Sequence, residues 1–244
     1  MTRELLDLDP GRYTGLFKCL AVFAALQDFE RAEPFLERIV ELNPADGLLS
    51  EWLVLYLNGR TAEAAALVDR RLPVDPDPNS YSHNRAAGVV ALFDGESRAA
   101  ARHLERAYEV APPHYLRGHL SSVGQDRLAT LLGYAHLKTG NEERALRLFQ
   151  ETEQYYTDRI ARGDTSYLAR LGIAAVDALR GDKEAAYGWL QQAIDAGFYA
   201  YAELERHFFF ESLHGEERFQ RMMDGVEARV EEARRRVDAM EASV

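Results

Sequence analysis

An all-α solenoid of helix pairs is the fold this sequence predicts, and three observations predict it. Five short turns, at Gln27, Gly59, Gly95, Gly140 and Gly181, recur every 32 to 45 residues. Each is followed five residues later by the same small side chain, at Ala32, Ala64, Ala100, Ala145 and Ala186. Four positions further on comes an apolar one: Leu36, Val68, Leu104, Phe149 and Leu190. After the fifth turn's pair this pattern gives way to an aromatic cluster and one heptad-spaced helix. A helix-turn-helix unit repeated at such a period can bury its apolar face only by stacking on its neighbours.

Each pair is read outward from its turn. Glycine suits the turn because a left-handed residue ends the first helix without a Cβ penalty. Seven positions earlier stand Leu20, Trp52, Gly88, Gly133 and Ala174. The small members of that set let paired helices approach closely, whereas Leu20 and Trp52 fill space. The recurrent alanine then faces the first helix from the second. Pro44, Pro76 and Pro112, each seventeen residues past a turn, terminate the second helix in the first three pairs. Thr157 and Phe198 take that place in the last two. The helical pattern after Phe149 runs on through Tyr156 and Ile160 to Arg162-Gly163-Asp164, which predicts a longer second helix in the fourth pair. Loops are expected at Asp75-Pro76-Asp77-Pro78-Asn79 and Ala111-Pro112-Pro113-His114, both too short for a domain linker. The expected organisation is a repeat array over 1–195 and a tail over 196–244.

In the tail, Asp195-Ala196-Gly197-Phe198 closes the fifth pair. Tyr201, Leu204, Phe208, Phe209, Phe210 and Leu213 then form an aromatic cluster without a simple period, which predicts a cap on the open end of the stack. From Glu216 to Ala242 one long helix is expected, with Phe219, Met223, Val226, Val230, Ala233, Val237 and Met240 spaced alternately four and three apart. That is a heptad seam. It reads either as a capping helix folded back on the solenoid or as a coiled-coil contact with a second copy, a homodimer. The thin seam residues Val226, Val230 and Ala233 favour the first.

The repeat over residues 11–195 resembles the tetratricopeptide repeat, with small-residue, alanine, aromatic and proline positions agreeing in sum rather than singly. The resemblance implies a right-handed α-solenoid of about five such pairs with a C-terminal capping helix. The tail, with "WLQQAIDAGFYAYAEL", Phe210, Leu213 and "GEERFQRMM", is similar to the C-terminal repeat modules of bacterial signalling and transcription-regulatory proteins. Those modules follow a winged-helix, cyclase or kinase domain. They carry Asp-Pro pairs about the equivalents of His207 and Glu217, and this chain has none there.

Composition narrows the function. Net charge is −11, with no face-wide basic patch, and Arg234-Arg235-Arg236 follows Glu231 and Glu232 on a helix as a solvated face. Nucleic acid and membrane surfaces are therefore not expected partners. The single cysteine, Cys19, excludes an intrachain disulfide and reads as a buried small hydrophobe. No signal pattern or membrane-length apolar run is evident, so a soluble, cytoplasmic chain is expected.

Chemistry is sparse. No two of the seven histidines have helical metal-pair spacing, so no metal or other cofactor is expected. His136 stands where tetratricopeptide repeats usually place a tyrosine, and reads as a packed core residue. There is no nucleophile elbow and no phosphate-cradling glycine cluster, and no enzymatic activity is expected. In tetratricopeptide arrays the first helix of each pair lines the concave surface. Carried onto this chain, the helix phase puts Phe17, Leu49, Leu53, Tyr56, Arg85, Val89, Leu92 and Tyr134 there, with Ala21, Ala24 and Leu137 beside them. Asn84 and Arg85 do not complete the Lys and Asn clamp that some members use for a peptide carboxylate. The expectation is an apolar groove that holds a peptide or partner domain, or that the chain's own terminal segment partly fills. A regulatory or sensor module of a larger bacterial signalling protein is the alternative.

Overall fold

In the computed structural model the described residues are 13–42, 44–57, 59–73, 76–111 and 127–241. Their regular structure is all helical, with no strand among them. The chain divides into two compact units, Met1–Leu146 and Arg147–Val244. The first holds α1 (Tyr13–Ala25), α2 (Phe29–Leu42), α3 (Pro44–Leu57), α4 (Thr61–Arg71), α5 (Tyr81–Phe93), α6 (Ser97–Val110) and α7 (Leu128–Lys138). The helix α8 (Glu142–Ala161) starts in the first unit and ends in the second. The second unit continues with α9 (Tyr167–Arg180), α10 (Lys183–Asp195), the single turn α11 (Tyr201–Leu204), a 3₁₀ turn at Phe208–Phe210, and α12 (Glu217–Glu241).

Neighbours in sequence are neighbours in space. In the first unit α1 packs on α2, α2 on α3, α3 on α4, α5 on α6 and α6 on α7, while α3 also meets α5 and α5 meets α7. In the second, α9 packs on α10, and α12 lies against α10 and α11.

One hydrogen-bonded turn explains the repeated sequence pattern. Gln27, Gly59, Gly95, Gly140 and Gly181 have φ of +53°, +72°, +77°, +82° and +82°. The next amide donates to the carbonyl five positions back: Asp28 to Phe23, Arg60 to Leu55, Glu96 to Ala91, Asn141 to His136 and Asp182 to Asp177, at 2.8–2.9 Å. That bond satisfies a carbonyl stranded at a helix end. The carbonyl of the same residue then accepts from Ala32, Ala64, Ala100, Ala145 or Ala186 at 2.9–3.1 Å, opening the second helix. All five alanines are no more than 2% exposed. Gly163 and Gly197 repeat the left-handed turn where α8 and α10 end without a proline. There Asp164 bonds Arg159 and Phe198 bonds Ala193, both at 3.0 Å.

Side-chain caps start two of the helices. Asp28 Oδ1 accepts from the Arg31 amide at 3.2 Å, and Asp182 Oδ1 from the Ala185 amide at 3.1 Å, as N-caps do. α2 buries Ala32, Leu36 and Ile39 on one face and tolerates Pro34 on its exposed side. α2 ends at Leu42, ahead of Pro44, which opens α3, and α4 ends at Arg71, ahead of Pro76. Pro112 lies outside the described residues. α8 is the longest second helix in the array, at 20 residues, as the run to Arg162 predicted. It carries Tyr156, which packs with Ala169 and Ile173. A Cβ at Gly172 would come within 2.1 Å of the Tyr156 ring, so only glycine permits that approach.

In the tail, Phe209, Phe210 and Leu213 are buried and Phe208 is half-buried, with the 3₁₀ turn set against α9. The seam of α12 is divided. Phe219, Met223, Val226 and Val230 are buried, each contributing about 1.5–3 kcal/mol by burial. Ala233 is exposed, Val237 half-buried and Met240 69% exposed.

Candidate functional site

The face predicted from helix phase is mostly interior. Leu49, Leu53, Val89, Leu92 and Tyr134 are buried, and Phe17, Tyr56 and Arg85 are half-buried. Tyr56 belongs to a three-ring cluster, stacked on Trp52 at 5.1 Å and edge-on to Phe93 at 4.9 Å. Asn84 is fully buried and structural: its Nδ2 donates to the Asp77 and Ser80 carbonyls at 2.7 and 2.8 Å, tying the loop before α5 to that helix. Phase gives the side of a helix that faces the stack, but not how deep that side lies.

Two clefts, one in each unit, are better defined. The first, about 730 Å³, lies among α2, α3 and α4. Its floor is apolar: Phe29, Leu36, Val40, Val54 and Leu55, of which Phe29, Val40 and Leu55 are half-buried. Its rim carries Glu30, Glu33, Glu37 and Glu41 from α2 and Glu51 from α3, with Arg60 and Arg71 opposite. Arg71 pairs with Glu51 and donates to the Pro44 carbonyl at 2.9 Å. Arg60 is held by Glu63 through two bonds of 2.7 and 2.6 Å. Arg38 pairs with Glu41 at 2.7 Å. The cleft carries an excess of negative charge after these pairings.

The second cleft, about 720 Å³, lies between α10 and α12 and carries Arg218, Arg221 and Arg229. Each is engaged. Arg218 sits over the Tyr187 ring at 4.2 Å and bonds Glu184, Arg221 pairs with Glu217 at 3.3 Å, and Arg229 donates to the Ile194 carbonyl at 3.1 Å. Tyr187 donates to Glu216 at 2.8 Å. Burial and then that carboxylate push its hydroxyl up to about 12. Gly188 and Gly225 also border this cleft, and neither has an atom within 4 Å of where a Cβ would stand.

Three further titratable groups lie outside both clefts. His136 is bonded rather than packed in an apolar core: its Nε2 lies 2.8 Å from Glu105 Oε1, and Arg144 reaches the same carboxylate. Cys19 is buried, and burial raises its thiol above the usual range. Asp177 is 8% exposed, and burial foremost, with Glu153 and Asp182 adding and Arg180 opposing, pushes it up to about 6. Among the described residues no three His, Cys, Asp or Glu side chains are grouped to hold a metal ion, and no helix is long and apolar enough to cross a membrane. No protein-family model and no curated protein matches the chain.

Proposed function

We propose that this chain is a non-catalytic interaction scaffold that holds a peptide or partner domain on its helical surface. The observation that carries this reading is the cleft among α2, α3 and α4, which joins an apolar floor to a rim of one predominant charge. Apolar floors supply affinity and charged rims supply orientation in peptide recognition. The repeated turn geometry supports a right-handed solenoid of five tetratricopeptide-like pairs as its architecture. The half-buried Phe17, Tyr56 and Arg85 are the members of the expected groove through which a partner could still be reached.

Selection from a random-peptide display library against the full chain tests this. Recovery of peptides sharing a motif, whose binding is weakened by single charge substitutions at the cleft or at Tyr56, is the expected result. Failure to enrich any motif overturns the scaffold reading.

A second reading, a regulatory module of a larger bacterial signalling protein that works by pairing, is favoured by the divided seam of α12. Its first half is buried, whereas Val237 and Met240 retain exposed apolar surface suited to a second copy.

A further inference from the structure

We propose that the cleft among α2, α3 and α4 docks a cationic amphipathic segment of a partner protein, its apolar side chains on the floor and its Lys or Arg side chains on the α2 rim. This rests on the scaffold reading and names the partner's chemistry. The argument turns on which carboxylates are already neutralised. Glu51 has Arg71, Glu41 has Arg38, and Arg60 is committed to Glu63. Glu30, Glu33 and Glu37 remain, exposed and without a hydrogen bond or ion pair among the described residues.

These three stand at helical spacings of three and four, so they form one ridge along the cleft edge. Like charges at those spacings oppose one another on a helix, and the Arg60 guanidinium, bonded to Glu63, also feels Glu33 electrostatically. A neutral or acidic partner laid on Phe29, Val40 and Leu55 would desolvate the ridge without compensating it, whereas a cationic one would pair with it. The chain's net charge of −11 would steer a cationic partner toward it.

The test uses the full chain and a fluorescein-labelled, amidated peptide of four helical turns, with leucine on one face and lysine on the other. A counterpart with glutamate for lysine serves as comparison. Anisotropy titrations are run at about 0.01 M and about 1 M ionic strength, across which the Debye length falls from about 30 Å to about 3 Å. The expected result is binding of the lysine peptide alone, weakened at least tenfold by salt. It should also weaken at least tenfold in the combined Glu30→Gln, Glu33→Gln, Glu37→Gln variant, and change less than twofold in an Asp69→Asn, Glu109→Gln, Glu231→Gln variant altered elsewhere.

Equal weakening in both variants, or none in the first, overturns the cleft assignment. The display selection separates this failure from that of the wider reading. If it yields binders indifferent to the ridge substitutions, the scaffold stands and the cationic partner falls. If neither selection nor probe binds, both fall.

Discussion

Gly88 and Gly188 are both helical glycines, and a methyl group added to each has opposite consequences. At Gly88 a Cβ would stand 2.5 Å from Leu104 Cγ, inside the packed pair of α5 and α6. Gly88→Ala is expected to destabilise by about 1–3 kcal/mol, the usual range for overpacking. At Gly188 nothing lies within 4 Å, so Gly188→Ala should stabilise by about 0.5–1 kcal/mol by restraining the unfolded chain. Thermal denaturation of the two variants side by side checks the pair spacing. Gln27 is the complementary case, the one non-glycine with positive φ among the described residues. Gln27→Gly should raise stability by about 0.5–1 kcal/mol, since the strain removed exceeds the flexibility added. Asp177 adds a pH dependence. Its folded-state value, raised to about 6 from the ordinary 3.8, means the folded chain holds this proton more tightly than the unfolded one. Its contribution is intact below about pH 4 and lost as pH rises through about 6, leaving a deficit of about 1–3 kcal/mol at neutrality. Asp177→Asn should therefore stabilise at pH 7 and have little effect at pH 4, by denaturant melts at both.

Among the elements, α12 makes the clearest division of labour. Met223, fully buried, anchors the N-terminal half of the helix, and Met223→Ala should cost about 2–5 kcal/mol. The C-terminal half carries Val237 and Met240 with little cover. Under the pairing reading, Val237→Glu with Met240→Glu should leave the melting temperature nearly unchanged while the mass by light scattering falls from dimer to monomer. A monomer before and after substitution would leave α12 as a cap on its own unit. The same helix shows how much an element's period reveals. The heptad spacing marked the seam from Phe219 to Met240, but spacing could not say that Phe219 to Val230 are buried while Met240 stays 69% exposed. That depends on what packs against α12, α10 and α11 among them, which the α12 sequence does not encode. Nothing in the sequence of α2 marks out the glutamates at 30, 33, 37 and 41. They became the rim of a cleft because α3 and α4 bring Val54, Leu55 and Arg60 alongside.

At the scale of the whole molecule, the legible parts were those with a local physical cause. A left-handed turn selects glycine, a close helix pair selects alanine, and both requirements recur at a countable interval, so the turn positions and helix order could be read directly. Pro44, read as a stop for α2, stands just past its end and also opens α3, because an imide nitrogen is tolerated at the first helical position. The groove was harder to read, since helix phase does not give depth and five of the eight residues predicted to line it are buried. The turns themselves carry one more consequence. Every one of the five closes within a six-residue stretch, so each pair of helices can form before any distant part of the chain has found its place. Chains dominated by such short-range closure fold quickly, on microsecond to millisecond scales for the simplest bundles. Amide protons should accordingly be released in blocks of helix pairs during native-state exchange, outermost pair first, instead of all together.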